Sequence, residues 1–175
     1  YLTTQLLEMK VPMVVVLNRI DLARKHHLEI DVNEFAAHLR LPVVAVDAHH
    51  ADDLARLREC IGSSLVNLPV SPVRIEYQDE LEELLSVIQH DLECDRKQCF
   101  TNLRWAAVKM LEKDFFALEH AGFSAEVRDR HRDRIAAVER ICAGETDVII
   151  ADYRFGFIKG LFEHAVRRRA DRKLV

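Results

Sequence analysis

Two short polar clusters carry the side chains best suited to chemistry. They are Asn18-Arg19-Ile20-Asp21 and Asp47-Ala48-His49. A carboxylate accepts two neighbouring N–H donors at once, a carboxamide both donates and accepts, and a guanidinium plane stacks on a flat ring. These are recognition groups, and no residue in them is assigned a catalytic role. Two further groups invite a metal reading, His26-His27 with His49-His50, and Cys94 with Cys99. Adjacent histidines on one helix point in different directions, and no carboxylate or cysteine stands at ligand spacing to close a site. The histidines therefore read as surface residues. The cysteines lack a second Cys or His pair for zinc and read as helix packing.

The elements that hold the two clusters follow from apolar spacing. Residues 1–10 read as the end of a helix, with Leu2, Leu6 and Leu7 on one side, closed by Pro12. Residues 13–17 (Met-Val-Val-Val-Leu) are apolar throughout, which predicts a parallel strand buried on both faces. A polar stretch over 18–31 leads to a short helix around 34–39, and 42–46 (Pro-Val-Val-Ala-Val) form a second strand of the same kind. Asp52 or Asp53 can cap the next helix, whose Leu54, Leu57, Ile61 and Leu65 recur at helical spacing. Two buried strands separated by a helix imply a parallel, right-handed βαβ unit. Ligands of such sheets lie outside the carboxyl ends of the strands, so both clusters face one crevice. Taken alone, the first cluster also suits a polar turn in which Asp21 caps the following segment.

The break at 67–72 (Asn-Leu-Pro-Val-Ser-Pro) marks a domain boundary, and everything after it reads as helix. Asp79 caps a run carrying Leu81, Leu84, Leu85, Ile88 and Leu92. Thr101 caps one carrying Leu103, Ala107, Met110 and Leu111. Ser124 caps a third with Val127, His131, Ile135, Val138 and Ile141 inward, and a last helix spans about 145–165. Trp105, Phe115, Phe116, Phe155, Phe157 and Phe162 read as core, and the acids of 79–83 and 91–95 as a solvated face.

Composition bounds the function. The 175 residues are 49% apolar and 31% charged, an ordinary globular balance, and the net charge of −4 argues against a general nucleic-acid binder. The apolar run over 11–17 falls far short of the roughly 20 residues that span a bilayer. The four cysteines lie in helical sequence, which suits reduced thiols in a cytosol.

Asn18-Arg19-Ile20-Asp21 resembles the Asn-Lys-x-Asp guanine-specificity motif of GTP-binding proteins, with Arg19 in place of the lysine. Guanine presents its ring N1–H beside an amino group, and one carboxylate accepts from both. Adenine puts an acceptor at the first of those places. Residues 42–48 (Pro-Val-Val-Ala-Val-Asp-Ala) resemble the Ser-Ala loop whose backbone amide meets the guanine oxygen, with Asp47 in place of the serine. Residues 1–8 (Tyr-Leu-Thr-Thr-Gln-Leu-Leu-Glu) with Val11-Pro12, then Arg104-Trp105-Ala106 with 109–112 and Asp114, and then 150–155 (Ile-Ala-Asp-Tyr-Arg-Phe), are similar to the ferrous iron transporter B family in that order.

That resemblance implies an α/β remnant over 1–68, two parallel strands of a P-loop GTPase-type sheet. It also implies an all-α domain over 69–166 thought to restrain GDP release, and a basic, membrane-proximal end over 167–175 built on Arg167, Arg168, Arg169, Arg172 and Lys173. It implies a GTP/GDP-binding regulatory region on the cytoplasmic face of a bacterial inner-membrane Fe²⁺ importer, partnered by that protein's own membrane pore and with room for a homo-oligomer. Asn18, Arg19, Asp21, Asp47, Ala48 and His49 would line the nucleotide site. The sequence contains no Gly-x-x-x-x-Gly-Lys-Ser/Thr. Mg²⁺ is therefore expected only with a phosphate-binding portion, and these residues alone are not expected to hydrolyse GTP. The competing reading is a helical interaction or oligomerisation module that binds no nucleotide in this form.

Overall fold

The computed structural model describes residues 1–94 and 102–168. The chain divides into two compact units that interleave in sequence: Tyr1–Met9 with Arg74–Phe157, and Lys10–Val73 with the residues from Ile158 onward.

The unit from Lys10 onward is built on a parallel pair. Strand β1 (Val15–Asn18) pairs with β3 (Val43–Val46) in the register Val15↔Val43 to Asn18↔Val46. Between them run helix α2 (Ile20–Lys25), strand β2 (Leu28–Ile30) and helix α3 (Val32–Leu39). Asp31 caps α3, its carboxylate accepting from the N–H groups of Asn33 (3.0 Å) and Glu34 (3.1 Å). Phe35, Leu39, Leu41 and Val46 are buried and form the core of this unit. The strands are not buried on both faces as their composition predicts. Val16 is 41% exposed, because among the described residues β1 has one neighbouring strand and an open edge.

Helix α4 (Ala51–Asn67) follows β3 with no buried residue, and Ile61 and Leu65 of its apolar stripe face solvent. Neither Asp52 nor Asp53 caps it. His50 holds that position, and Asp53 sits inside the first turn. The break after α4 is tied down rather than loose. The Ser71 hydroxyl donates to Leu39 O (2.6 Å) and accepts from Val73 N–H (3.1 Å), while Lys10 Nζ donates to Ser71 O (3.0 Å).

Sequence periodicity announces neither α2 nor β2, which lie in the stretch read as polar, nor a further strand. Strand β4 (Val166–Arg168), at the end of helix α9 (Thr146–Ala165), pairs antiparallel with β2, setting Leu28 against Arg168, Glu29 against Arg167 and Ile30 against Val166.

The other unit is helical: α1 (Leu2–Met9), α5 (Asp79–Cys94), α6 (Leu103–Leu111), α7 (Phe115–His120), α8 (Ala125–Ile141) and the start of α9. Leu81, Leu85, Ile88 and Leu92 of α5 pack with Ala107, Val108 and Leu111 of α6, Val127 of α8 and Ile150 of α9, all 0% exposed. Helix α1 stops where Lys10 turns left-handed (φ 56°), two residues before Pro12, and its buried side carries Thr4 and Leu7 while Leu2 is exposed. Asn102 caps α6, accepting from Trp105 N–H (3.1 Å); Thr101 and Cys99 lie outside the described residues.

Trp105 is core as expected, but Phe115, Phe116, Phe155 and Phe162 are exposed, as are Ile141 and Cys94. All four of those rings still have partners: Arg128 lies over Phe115, His120 packs on Phe116, Tyr1 packs on Phe155, and Phe35 meets Phe162 edge-on. The acidic face is not wholly solvated either. Glu82 accepts from both Arg74 and Arg104, and Asp91 Oδ2 lies 3.1 Å from the buried His131 Nε2.

Candidate nucleotide site

Because Asn18 is registered with Val46, the loops after β1 and β3 leave the same end of the parallel pair, one strand spacing apart. Asn18 folds its side chain onto the next residue, Oδ1 accepting Arg19 N–H at 2.8 Å. Arg19 takes the left-handed conformation (φ 61°, ψ 41°) that few non-glycine residues adopt. That residue redirects the chain, so α2 begins at once and Asp21 lies in its first turn.

The Asp21 carboxylate is flanked by Arg19 Nε at 3.7 Å and Lys25 Nζ at 3.6 Å. Partial desolvation raises its pKa, but the Leu22 N–H and the charges of Arg19 and Lys25 outweigh this and hold it below the usual 3.8. It is therefore an anion at neutral pH. Its Oδ1, the oxygen that Arg19 Nε faces at 3.7 Å, is screened from solvent yet accepts no hydrogen bond among the described residues. A shielded acceptor left open in this way costs free energy unless a donor arrives.

The second loop is braced from within. Asp47 is 8% exposed. Its Oδ1 accepts from His49 N–H (3.1 Å), its Oδ2 lies 3.2 Å from His50 Nδ1, and its own N–H donates to Asp53 Oδ2 (2.8 Å). The Asp47 N–H bond, then Arg56, depress the Asp53 pKa against a partial desolvation, keeping that acceptor ionised. Ala48 and His49 are left exposed at the tip, and Ala48 N–H makes no hydrogen bond among the described residues.

The structure thus brings all six sequence-derived residues, Asn18, Arg19, Asp21, Asp47, Ala48 and His49, to one end of the sheet. Asp47 points its carboxylate into its own loop. Asp53 is the residue that sequence reasoning misses. It reads as a helix cap, and only its spacing of six residues after Asp47, across a turn, hints at a brace. The sequence holds no Gly-rich phosphate loop, so no Mg²⁺ or phosphate step follows from these residues.

Residues 77–167 match the family described as the FeoB cytosolic helical domain, and residues 1–61 match ferrous iron transport protein B. The chain belongs to the ferrous iron transport protein B family. It is 28% identical over 163 residues to the Fe(2+) transporter FeoB of Escherichia coli K12, covering 92% of this chain and 20% of the relative. It is 30% identical over 138 residues to that of Salmonella choleraesuis, covering 77% and 17%. The chain therefore spans about a fifth of the length of these FeoB relatives. Among solved structures, a GDP-bound variant of the S. thermophilus FeoB G-domain superposes with a TM-score of 0.78 at 26% identity, covering 95% of this chain and 64% of that one. The S. thermophilus protein bound to GDP, aluminium fluoride and K⁺ gives a TM-score of 0.75, covering 93% and 63%. No helix of the described residues is long and apolar enough to cross a membrane.

Proposed function

We propose that these residues form the base-reading end of a guanine-nucleotide site in the cytosolic regulatory region of a bacterial Fe²⁺ importer. The observation that carries the reading is Asp21, an ionised carboxylate with a shielded oxygen that accepts no hydrogen bond among the described residues, beside an exposed loop whose Ala48 N–H is open. Asp21 accepts from the N1–H and amino group of guanine, Ala48 donates to the guanine oxygen, and Arg19 and His49 flank the ring. Asn18 hydrogen-bonds the purine and ties the loops together. The family relatives named for Fe(2+) transport, and the G-domains solved with GDP, support this assignment. The residues bind and orient the base, and a phosphate-binding segment supplies the chemistry of hydrolysis with Mg²⁺. Nucleotide state is then passed to the membrane pore from the cytoplasmic face.

Competition binding of GDP against ADP tests the reading, using protein that carries these residues together with a Gly-x-x-x-x-Gly-Lys-Ser/Thr segment. A preference for GDP of about 10⁴-fold is expected of a site that reads paired donors. Equal affinities contradict it.

A further inference from the structure

The guanine-reading helix cannot hold its own position. Helix α2 has six residues, none of them buried, and helices that short are unstable by themselves in water. Its first turn carries Asp21, so whatever fixes α2 fixes the acceptor. At its C-terminal end the chain turns through His27, left-handed at φ 56°, into β2, against which α2 packs. Strand β2 is three residues long, and among the described residues its one ladder partner is β4.

The pairing with β4 is specific. Asp31 N–H donates to Ala165 O at 2.8 Å. The alternation of an antiparallel ladder then makes Glu29–Arg167 the pair that exchanges both backbone bonds. Leu28, Ile30 and Val166 are half-buried. Behind the ladder, the last turns of α9 lie on α3: Phe162 meets Phe35 edge-on at 5.8 Å, and His164 stacks on His38 at 5.1 Å. The end of α9 and β4 are thus fastened to this unit by backbone, aromatic and imidazole contacts together.

We infer that β4 is the positioning element of the guanine site: it holds β2, β2 holds α2, and α2 holds Asp21. This rests on the base-reading assignment above and adds its regulation. A displacement of the chain at residue 168 alters guanine affinity. By linkage, guanine binding tightens the β2–β4 ladder to the same degree. The route from base to residue 168 runs through the β2–β4 pair.

The test is hydrogen exchange on the 175-residue chain, read by mass spectrometry. Arg167→Pro removes the central ladder donor, and Arg167→Ala keeps the backbone as a control. The proline variant is expected to speed exchange over 19–30 by about tenfold or more, as expected for local opening. The alanine variant is expected to stay near wild type, as are the buried helices α5 and α6. Unchanged exchange over 19–30 in Arg167→Pro overturns the proposal. If that variant loses protection in β1 and β3 as well, the pair Ile30→Cys with Val166→Cys decides. The oxidised form slows exchange over 19–30 relative to the reduced form, and equal rates overturn the proposal. The nucleotide arm uses protein with a phosphate-binding segment, where Arg167→Pro speeds GDP release at least several-fold. Release at the wild-type rate contradicts positioning by β4. Absence of GDP binding to the unsubstituted protein contradicts the base-reading assignment, and the exchange result still decides whether β4 holds α2.

Discussion

Removing the buried guanidinium of Arg154 is the sharpest test of how the helical unit is held. Arg154 is fully buried, and its Nη2 and Nε donate to Glu8 Oε2 at 2.7 and 3.1 Å. Its Nη1 donates to Tyr1 OH at 3.0 Å and to Glu112 Oε1. The Glu8 and Glu112 side chains are 7% and 13% exposed, so Arg154→Met strands two carboxylates with little water to take its place. Breaking a buried ion pair from one side costs about 3–5 kcal/mol. Each carboxylate keeps one partner, the Tyr77 hydroxyl for Glu8 and Lys109 Nζ at 3.0 Å for Glu112, which places the loss near the lower figure. A loss of about 3 kcal/mol lowers the midpoint of thermal unfolding by about 6–12 °C in a chain of this size. The assay is guanidinium unfolding followed by the fluorescence of Trp105, the sole tryptophan, 9% exposed in the same unit. The midpoint falls while the slope with denaturant stays constant. Adding Glu8→Gln to Arg154→Met removes one stranded charge and recovers part of the loss. A loss below about 1 kcal/mol, the value of a surface pair, refutes the reasoning, as does a double variant less stable than the single one.

His131 sets a pH dependence. Burial lowers its pKa from 6.5, Asp91 opposes this, and Arg134 and Arg130 lower it further, so the unfolded chain binds that proton more readily than the folded one. The stabilisation is complete above the unfolded value and is lost as pH falls through the folded one. Trp105-detected stability should therefore drop more in wild type than in His131→Leu between about pH 7.5 and about pH 5, and parallel curves count against it. Asp53→Ala removes the acceptor for Asp47 N–H and should speed GDP release by about tenfold in protein with a phosphate-binding segment. A rate unchanged in stopped-flow release shows that the Asp47 loop does not depend on Asp53.

The parallel pair β1–β3 was legible because two apolar runs end in polar clusters, and register needs only their common direction. The placement of Asn18 and Asp21 was legible for the same reason, since both follow the first run directly. The β2–β4 ladder was not. Leu28-Glu29-Ile30 is too short to display a period, and its partner lies near the other end of the chain. Arg154 was hidden in the same way, as one cation in an aromatic stretch whose anionic partners lie in α1 and just after α6. The phenylalanines misled because helical spacing gives a face but not what covers it, and Phe116 and Phe155 lie on faces that solvent covers.

The central claim is that Asp21 reads guanine through its paired N–H groups. Affinities of GDP and xanthosine diphosphate for wild type and Asp21→Asn, in protein with a phosphate-binding segment, test it most directly. Xanthine carries an oxygen where guanine has its amino group, and asparagine offers that oxygen a donor. Asp21→Asn is expected to weaken GDP by about 100-fold or more and to leave xanthosine diphosphate unchanged or tighter. Equal weakening of both nucleotides, or of neither, contradicts it.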